Sequence, residues 1–199
     1  MTMSEQEIKA MGLPRYTGIP TFMRMPYREN AAGLDIALVG VPYDGGVTNR
    51  PGARHGPREV RNQSSLIRTI NQATGISPYE LCTIGDVGDA VVERPFQLEG
   101  AHEEIERYYR ELAATGAVPL SVGGDHSISL PILRVLAKER PVGLIQIDAH
   151  CDTGGDYLGS RFHHGSPFSR AVEEGLLDPK RCVQRDRKST RLNSSHITI

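Results

Sequence analysis

The fold is decided by the stretch Val142-Gly-Leu-Ile-Gln-Ile-Asp-Ala-His-Cys-Asp152. Its first part, residues 142–147, is a short apolar run that predicts a strand buried on both faces, as parallel sheets require. Asp148, His150 and Asp152 follow at spacings of two, and residues two apart on an extended chain point the same way. Two carboxylates and one imidazole that converge in this way would suit a divalent cation.

A second segment repeats this design one strand earlier in the chain. Val118-Pro-Leu-Ser-Val-Gly-Gly-Asp-His-Ser127 contains a short strand, two glycines and then Asp125 and His126. Reactive side chains collect at the carboxyl ends of strands in open parallel sheets, so we expect the two segments to meet. Together they offer more ligands than one ion needs, which suggests two metal ions. Ligation rich in carboxylates favours Mn²⁺ over Zn²⁺.

Strands and helices alternate along the rest of the chain. The predicted strands cover residues 35–41, 80–84, 118–124, 142–148 and 181–184. The predicted helices cover residues 57–70, 100–116, 129–138 and 167–174. This alternation predicts parallel βαβ units in an α/β fold, a three-layer α/β/α domain with a mainly parallel sheet. The last strand begins close to residue 185, which suggests a domain that is incomplete at its C-terminus.

The two ends of the chain differ from the part between them. Residues 1–33 combine frequent prolines with aromatic residues and methionine, which predicts an N-terminal arm that lies on a surface. Residues 34–185 form the predicted domain. Residues 186–199 are polar and aperiodic and resemble a translated sequencing-library adapter, so we exclude them from the fold. An ordinary disordered tail is the alternative.

Composition argues against several classes of function. The formal net charge of −1 gives no reason to expect a nucleic acid partner. No apolar run approaches the roughly 20 residues that cross a membrane, and the acidic N-terminus is unlike a signal peptide. The three cysteines form no disulfide framework. We therefore expect a cytoplasmic protein without nucleic acid or membrane partners.

Two motifs carry a resemblance to a known family. Gly123-Gly-Asp-His-Ser127 and Asp148-Ala-His-Cys-Asp152 resemble the first two signatures of the ureohydrolases, the family of arginase and agmatinase. The resemblance extends from Pro14 to about Gln184 and includes the loop Arg50-Pro-Gly-Ala-Arg-His-Gly-Pro57. It implies the arginase-like fold.

The resemblance assigns roles to individual side chains. Two Mn²⁺ ions would be bound by His126, Asp148, His150 and Asp152. Asp152 would serve catalysis as well as metal binding, and Asp125 would be a structural neighbour of the ligands. His164 matches the active-site histidine of the family and would act in proton transfer, whereas His163 is expected to be an exposed loop residue.

The same resemblance implies a substrate and a reaction. The loop 43–55 would line the substrate entrance, with Asn49, Arg54 and His55 as candidate substrate contacts. The reaction would be hydrolysis of a small guanidino substrate with release of urea. The pattern is closer to the agmatinase branch than to arginase, so agmatinase is the expected activity. Guanidinobutyrase and other amidinohydrolases are the alternatives.

The third signature of the family, an Asp-x-Asp motif, should lie beyond Gln184. The 199-residue chain is therefore expected to bind metal weakly and to have little or no activity. For a full-length protein the resemblance implies a homo-oligomer, either a trimer or a hexamer.

Two functions of other classes stay open. A deacetylase of related fold would use a single Zn²⁺ and would be distinguished by counting metal ions. A non-catalytic family member would keep the fold and bind no Mn²⁺. The metal-binding residues of both motifs are present, which argues against the second alternative.

Overall fold

The computed structural model describes residues 12–185 of the chain. These residues form two compact units. The first unit comprises the described residues up to Pro42 together with Gly52–Val91 and Arg110–Gly124. The second comprises Tyr43–Pro51, Val92–Tyr109 and the described residues from Asp125 onward. The segment predicted to be adapter-derived, 186–199, lies outside the described residues.

The first unit is built around a three-stranded parallel sheet with the order β2-β1-β3. Its strands are β1 (Ile36–Val41), β2 (Ile84–Asp89) and β3 (Val118–Gly123). Its α-helices are α1 (Gly56–Gln63) and α2 (Pro78–Leu81), and 3-10 helices lie at Phe22–Arg24, Ala53–His55 and Ser64–Leu66. The core combines Phe22, Met25, Leu38, Tyr79 and Ile84. The predicted arm therefore contributes two buried side chains to this core.

Two predicted elements of this unit are wrong. The helix predicted over 57–70 ends at Gln63, where the Ser64 hydroxyl accepts the Met23 N–H at 2.8 Å and donates to the Arg61 carbonyl at 3.3 Å. Such side-chain bonds to the backbone compete with continuation of a helix. The strand predicted over 80–84 is instead the short helix α2 followed by β2.

A buried ion-pair network ties α1 to β2. The Arg61 guanidinium donates to both carboxylate oxygens of Asp86, at 2.9 Å and 3.0 Å, and to Asp89 at 2.7 Å. The Phe22 N–H also donates to Asp86, and the guanidinium stacks 4.1 Å from the centre of the Phe22 ring. Burial lowers the pKa of Arg61, but its bonds to the two carboxylates outweigh burial and raise it.

The second unit contains a two-stranded parallel sheet of β4 (Val142–Ile147) and β5 (Leu177–Arg185). Its helices are α3 (Leu98–Ala113, belonging to this unit as far as Tyr109), α4 (Ser129–Leu136), α5 (Pro167–Glu173) and the 3-10 helix His126–Ile128. These bounds confirm the predicted helices to within three residues. The core consists of Leu130, Phe168, Ala171, Leu177 and Cys182. Within residues 12–185, no helix is both long and apolar enough to span a bilayer.

The prediction that β4 is buried on both faces is wrong. Alternate residues point into the core and outward, and Ile145 and Ile147 are 82% and 84% exposed. This is the pattern of a strand that is covered on one face. Cys151, which follows this strand, is also exposed.

One histidine of α3 is almost completely buried. His102 is only 2% exposed, and its ring lies edge-on to Phe162 with centroids 5.7 Å apart. Neither ring nitrogen makes a hydrogen bond with the described residues. Burial, reinforced by the positive charge of Arg134 and opposed by Glu174, lowers the pKa of His102 to about 4. The folded chain therefore holds this ring neutral.

We expect His102 to make the fold sensitive to acid. An unfolded histidine has a pKa near 6.5, so between about pH 6.5 and 4 the unfolded chain binds more protons than the folded one. The stability that this neutral ring contributes is present above pH 6.5 and is lost as the pH falls to 4, by an amount on the order of 3 kcal/mol. Denaturant titrations at pH 7 and pH 4.5 should show a smaller pH effect for His102→Leu than for the wild type. Equal pH effects would contradict this prediction.

Candidate metal centre

A short turn after β3 presents the first candidate ligand. The carboxylate of Asp125 accepts the Ser127 N–H at 2.7 Å and thereby caps the 3-10 helix that begins with His126. The His126 ring packs edge-on against Phe168, with centroids 5.1 Å apart. Capping and ring packing together restrict the direction of this imidazole.

The segment after β4 supplies the carboxylates. The strand ends at Ile147, and the Asp148 N–H donates to the Arg185 carbonyl at 3.2 Å. The His150 N–H then donates to Asp148 Oδ1 at 2.9 Å, which closes a local turn. Asp152 has a φ of 50°, in the left-handed region that side chains other than glycine rarely adopt. The chain from 148 to 152 is therefore turned rather than extended.

Three of the predicted side chains come together. His126 Nδ1 is hydrogen-bonded to Asp152 Oδ2 and lies 3.5 Å from Asp148 Oδ2. The potential ligand atoms of all three residues lie within 4.8 Å of one another. One imidazole nitrogen and two carboxylates in so small a space are a donor set that fits a divalent cation.

His150 lies outside this group of three. Its side chain is 83% exposed, and its Nδ1 is 3.8 Å from Asp148 Oδ1. The prediction that His150 points the same way as Asp148 and Asp152 assumed that the chain stays extended after the strand. Because the strand ends at Ile147, side chains no longer alternate as they do in a strand.

Electrostatics favour the ionised form of Asp148 and the protonated form of His126. The hydrogen bond to Asp152 raises the pKa of His126, and burial only partly offsets this. Burial raises the pKa of Asp148, but the N–H of His150 and the neighbouring His126 lower it below its usual value. Ionised carboxylates are the form that binds cations.

The two consecutive histidines of the following loop have different surroundings. His164 Nε2 lies 2.9 Å from the Thr48 hydroxyl, and its N–H donates to the Gly46 carbonyl at 2.8 Å. His163 is half-buried, with Nε2 2.9 Å from the Gly155 carbonyl, and so differs from the exposed loop residue that was expected. Nothing in the sequence singled out Thr48.

The predicted substrate contacts are all exposed. Asn49 belongs to the second unit, while Arg54 and His55 lie on the 3-10 helix Ala53–His55 of the first. Their contact with a substrate stays a prediction.

Known proteins resemble this chain over most of its described length. Guanidinopropionase of Pseudomonas aeruginosa is 54% identical over 180 residues, which are 90% of this chain and 56% of that protein. Mitochondrial agmatinase of Gallus gallus is 46% identical over 171 residues, 85% of this chain and 50% of that protein. The chain thus spans about half the length of the curated relatives it matches.

Solved structures show the same fold. Proclavaminate amidino hydrolase from Streptomyces clavuligerus superposes with a TM-score of 0.83 at 39% identity, covering 86% of this chain and 58% of that one. A hypothetical agmatinase from Burkholderia thailandensis gives 0.81 at 35% identity, covering 92% and 58%. They confirm the predicted three-layer α/β/α class. The model of the arginase family matches residues 34–193, so with these relatives the chain belongs to the arginase family.

Proposed function

We propose that this chain is part of a hydrolase that releases urea from a linear guanidino compound. The observation that carries the proposal is the convergence of His126, Asp148 and Asp152 in a chain of the arginase family. The relatives named above act, by their names, on guanidino or amidino compounds. This reaction class is therefore the one that both the side chains and the relatives support.

We further propose Mn²⁺ as the metal, with two ions in the complete site. His126, Asp148 and Asp152 would hold it, because oxygen-rich ligation suits Mn²⁺ better than Zn²⁺. His150 is proposed as the fourth ligand, since its ring already lies beside the Asp148 carboxylate. Divalent ions bound there would supply Lewis-acid catalysis and ionise water at neutral pH.

The protein's own contribution is orientation and proton transfer. Phe168 packs edge-on against the His126 ring, and the Asp125 cap holds the turn from which that ring projects. His164 is proposed to deliver a proton to the leaving amine, a kind of help that contributes roughly 10²–10⁴-fold to a rate. It is fixed by its contacts with Thr48 and Gly46.

Two observations support a proposal for the chemical group at the end of the substrate opposite its guanidino group. The 54% identity with a guanidinopropionase supports a guanidino acid. Arg54, one of the three predicted contacts along with Asn49 and His55, would pair with the carboxylate of such a substrate. Agmatine, which the sequence pattern predicts and which the 46% identity with an agmatinase supports, is the second candidate.

The cellular compartment and oligomeric state of the complete protein are proposed from its cysteines and its family. Cys82, Cys151 and Cys182 are all free thiols, which supports a reducing compartment such as the cytoplasm. Membership of the arginase family supports a homo-oligomer, a trimer or hexamer.

The test measures urea with and without Mn²⁺. Because the chain spans about half the length of its relatives, it is fused after Gln184 to the C-terminal part of the Pseudomonas guanidinopropionase. We expect the chimera to release urea from 3-guanidinopropionate at least about tenfold faster than from agmatine, since a site built for a charged tail rejects one of opposite charge. We expect little or no urea from the 199-residue chain alone.

The chimera also separates the competing functions. A folded, Mn²⁺-loaded chimera that releases no urea from either compound would contradict the proposed reaction. Acetate release from an acetylated polyamine with one bound Zn²⁺ would support the deacetylase instead. Rapid urea release by the 199-residue chain would contradict only the expectation that this chain is inactive alone.

A further inference from the structure

We infer that Thr48 is a positioning residue for His164, and that Asp125 fastens the loop carrying Thr48 to the turn that presents His126. The loop is the segment Tyr43–Pro51, which belongs with these residues to the second unit. The role we infer for these contacts is to fix His164, a proton-transfer group, beside the turn that presents His126. This role rests on the proposed function. The contacts themselves do not.

The loop holds His164 at two points. Thr48 Oγ1 lies 2.9 Å from His164 Nε2, and the Gly46 carbonyl accepts the His164 N–H at 2.8 Å. The backbone contact fixes where the residue sits, and the hydroxyl contact fixes the plane of the ring. Within residues 12–185, Nδ1 of His164 makes no hydrogen bond, so the proton that this side chain exchanges would be carried at Nδ1. The Thr48 hydroxyl occupies Nε2 and so leaves Nδ1 as the nitrogen open to exchange a proton.

The same loop is bound to the metal-ligand turn through Asp125. One carboxylate oxygen of Asp125 accepts the Gly46 N–H at 2.8 Å, and the other accepts the Ser127 N–H at 2.7 Å. The Asp125 N–H donates in turn to the Tyr43 carbonyl at 2.8 Å. Asp125 is only 6% exposed, so these bonds are shielded from water and costly to break.

Close packing leaves the loop little freedom at this point. A Cβ atom on Gly46 would lie 2.6 Å from Cβ and Oγ of Ser127, closer than any side chain tolerates. The backbone of the loop at Gly46 therefore packs directly against Ser127, with no room for a side chain at this position. The Gly46 N–H donates to the Asp125 carboxylate and the Gly46 carbonyl accepts the His164 N–H, so one residue connects Asp125 to the backbone of His164.

The test reads the ring of His164 directly in the 199-residue chain. Long-range ¹H–¹⁵N spectra of ¹⁵N-histidine-labelled protein at pH 8.5 report which ring nitrogen carries the proton. We expect one dominant tautomer of His164 in the wild type. In Thr48→Val the tautomer ratio should shift about fivefold, because one hydrogen bond to the ring is lost. Thr48→Ser keeps the hydroxyl and should restore the wild-type ratio. A Thr48→Val spectrum identical to that of the wild type would overturn the inference.

A second pair of variants tests the anchor. Asp125→Asn cannot accept both N–H groups as a carboxylate does, so it should shift the His164 ratio in the same direction although it does not touch that ring. Asp148→Asn removes a neighbouring charge but no contact of the loop, and should leave the ratio unchanged. An equal shift in both would overturn the anchoring role. No measurement here needs metal or activity, so failure to bind Mn²⁺ would remove the proposed function and leave this inference standing.

Discussion

Replacing Arg61 with methionine is expected to lower the free energy of unfolding by about 3–5 kcal/mol, the usual cost of removing one partner from a buried ion pair. Asp86 is 1% exposed, and Arg61 supplies two of its hydrogen bonds. Methionine has a similar length but no donor, so the Asp86 charge would stay buried with only its backbone partners. The stacking of the guanidinium on Phe22 would also be lost.

Guanidinium chloride unfolding followed by circular dichroism measures this loss. Arg58→Met is the matched control, because Arg58 lies on the same helix and is exposed. Surface substitutions of this kind usually change stability by less than about 0.5 kcal/mol. Equal stability of the two variants would show that the network does not hold α1 against β2.

Replacing Asp152 with asparagine is expected to lower the affinity for Mn²⁺ by at least about 100-fold, the upper range for loss of a partner of a metal ligand. The change removes one of the two carboxylates near His126 and weakens the contact that orients the ring. It leaves the size of the side chain unchanged. The loss of negative charge and of the His126 contact should therefore act together.

Electron paramagnetic resonance of free Mn²⁺ gives this affinity even when binding is weak. Asp156→Asn is the control, since it removes the same charge from the same loop, where Asp156 pairs with Arg170 at 2.8 Å and is 63% exposed. We expect its affinity to match that of the wild type. If both variants bind Mn²⁺ as the wild type does, Asp152 is not a ligand.

The sequence predicted the elements that local pattern controls. The apolar runs of β1, β3 and β4 and the amphipathic period of α3 were found within three residues of their observed bounds. Strand β2 was placed too early because its Gly-Asp-Val-Gly-Asp portion has low strand propensity. It is a strand because it pairs with β1 and because Arg61 neutralises Asp86.

In the candidate site, too, local sequence pattern predicted some residues, whereas contacts between residues distant in sequence were missed. Strand ends and the family resemblance brought His126, Asp148 and Asp152 into one hypothesis, and the structure places them together. The side chain of His150 was assigned a direction from strand alternation, which no longer applies once the strand has ended at Ile147. Thr48 lies 116 residues from His164 in sequence, so no spacing rule could pair them.

The most direct test of the central claim, that these three side chains share a divalent cation, is anomalous diffraction at the manganese edge. A crystal of the 199-residue chain is soaked in MnCl₂ and its anomalous map is calculated. We predict a peak within about 2–2.5 Å of ligand atoms from His126, Asp148 and Asp152, a normal coordination distance. A map with no peak among these three residues, or with manganese bound only elsewhere, would contradict the account.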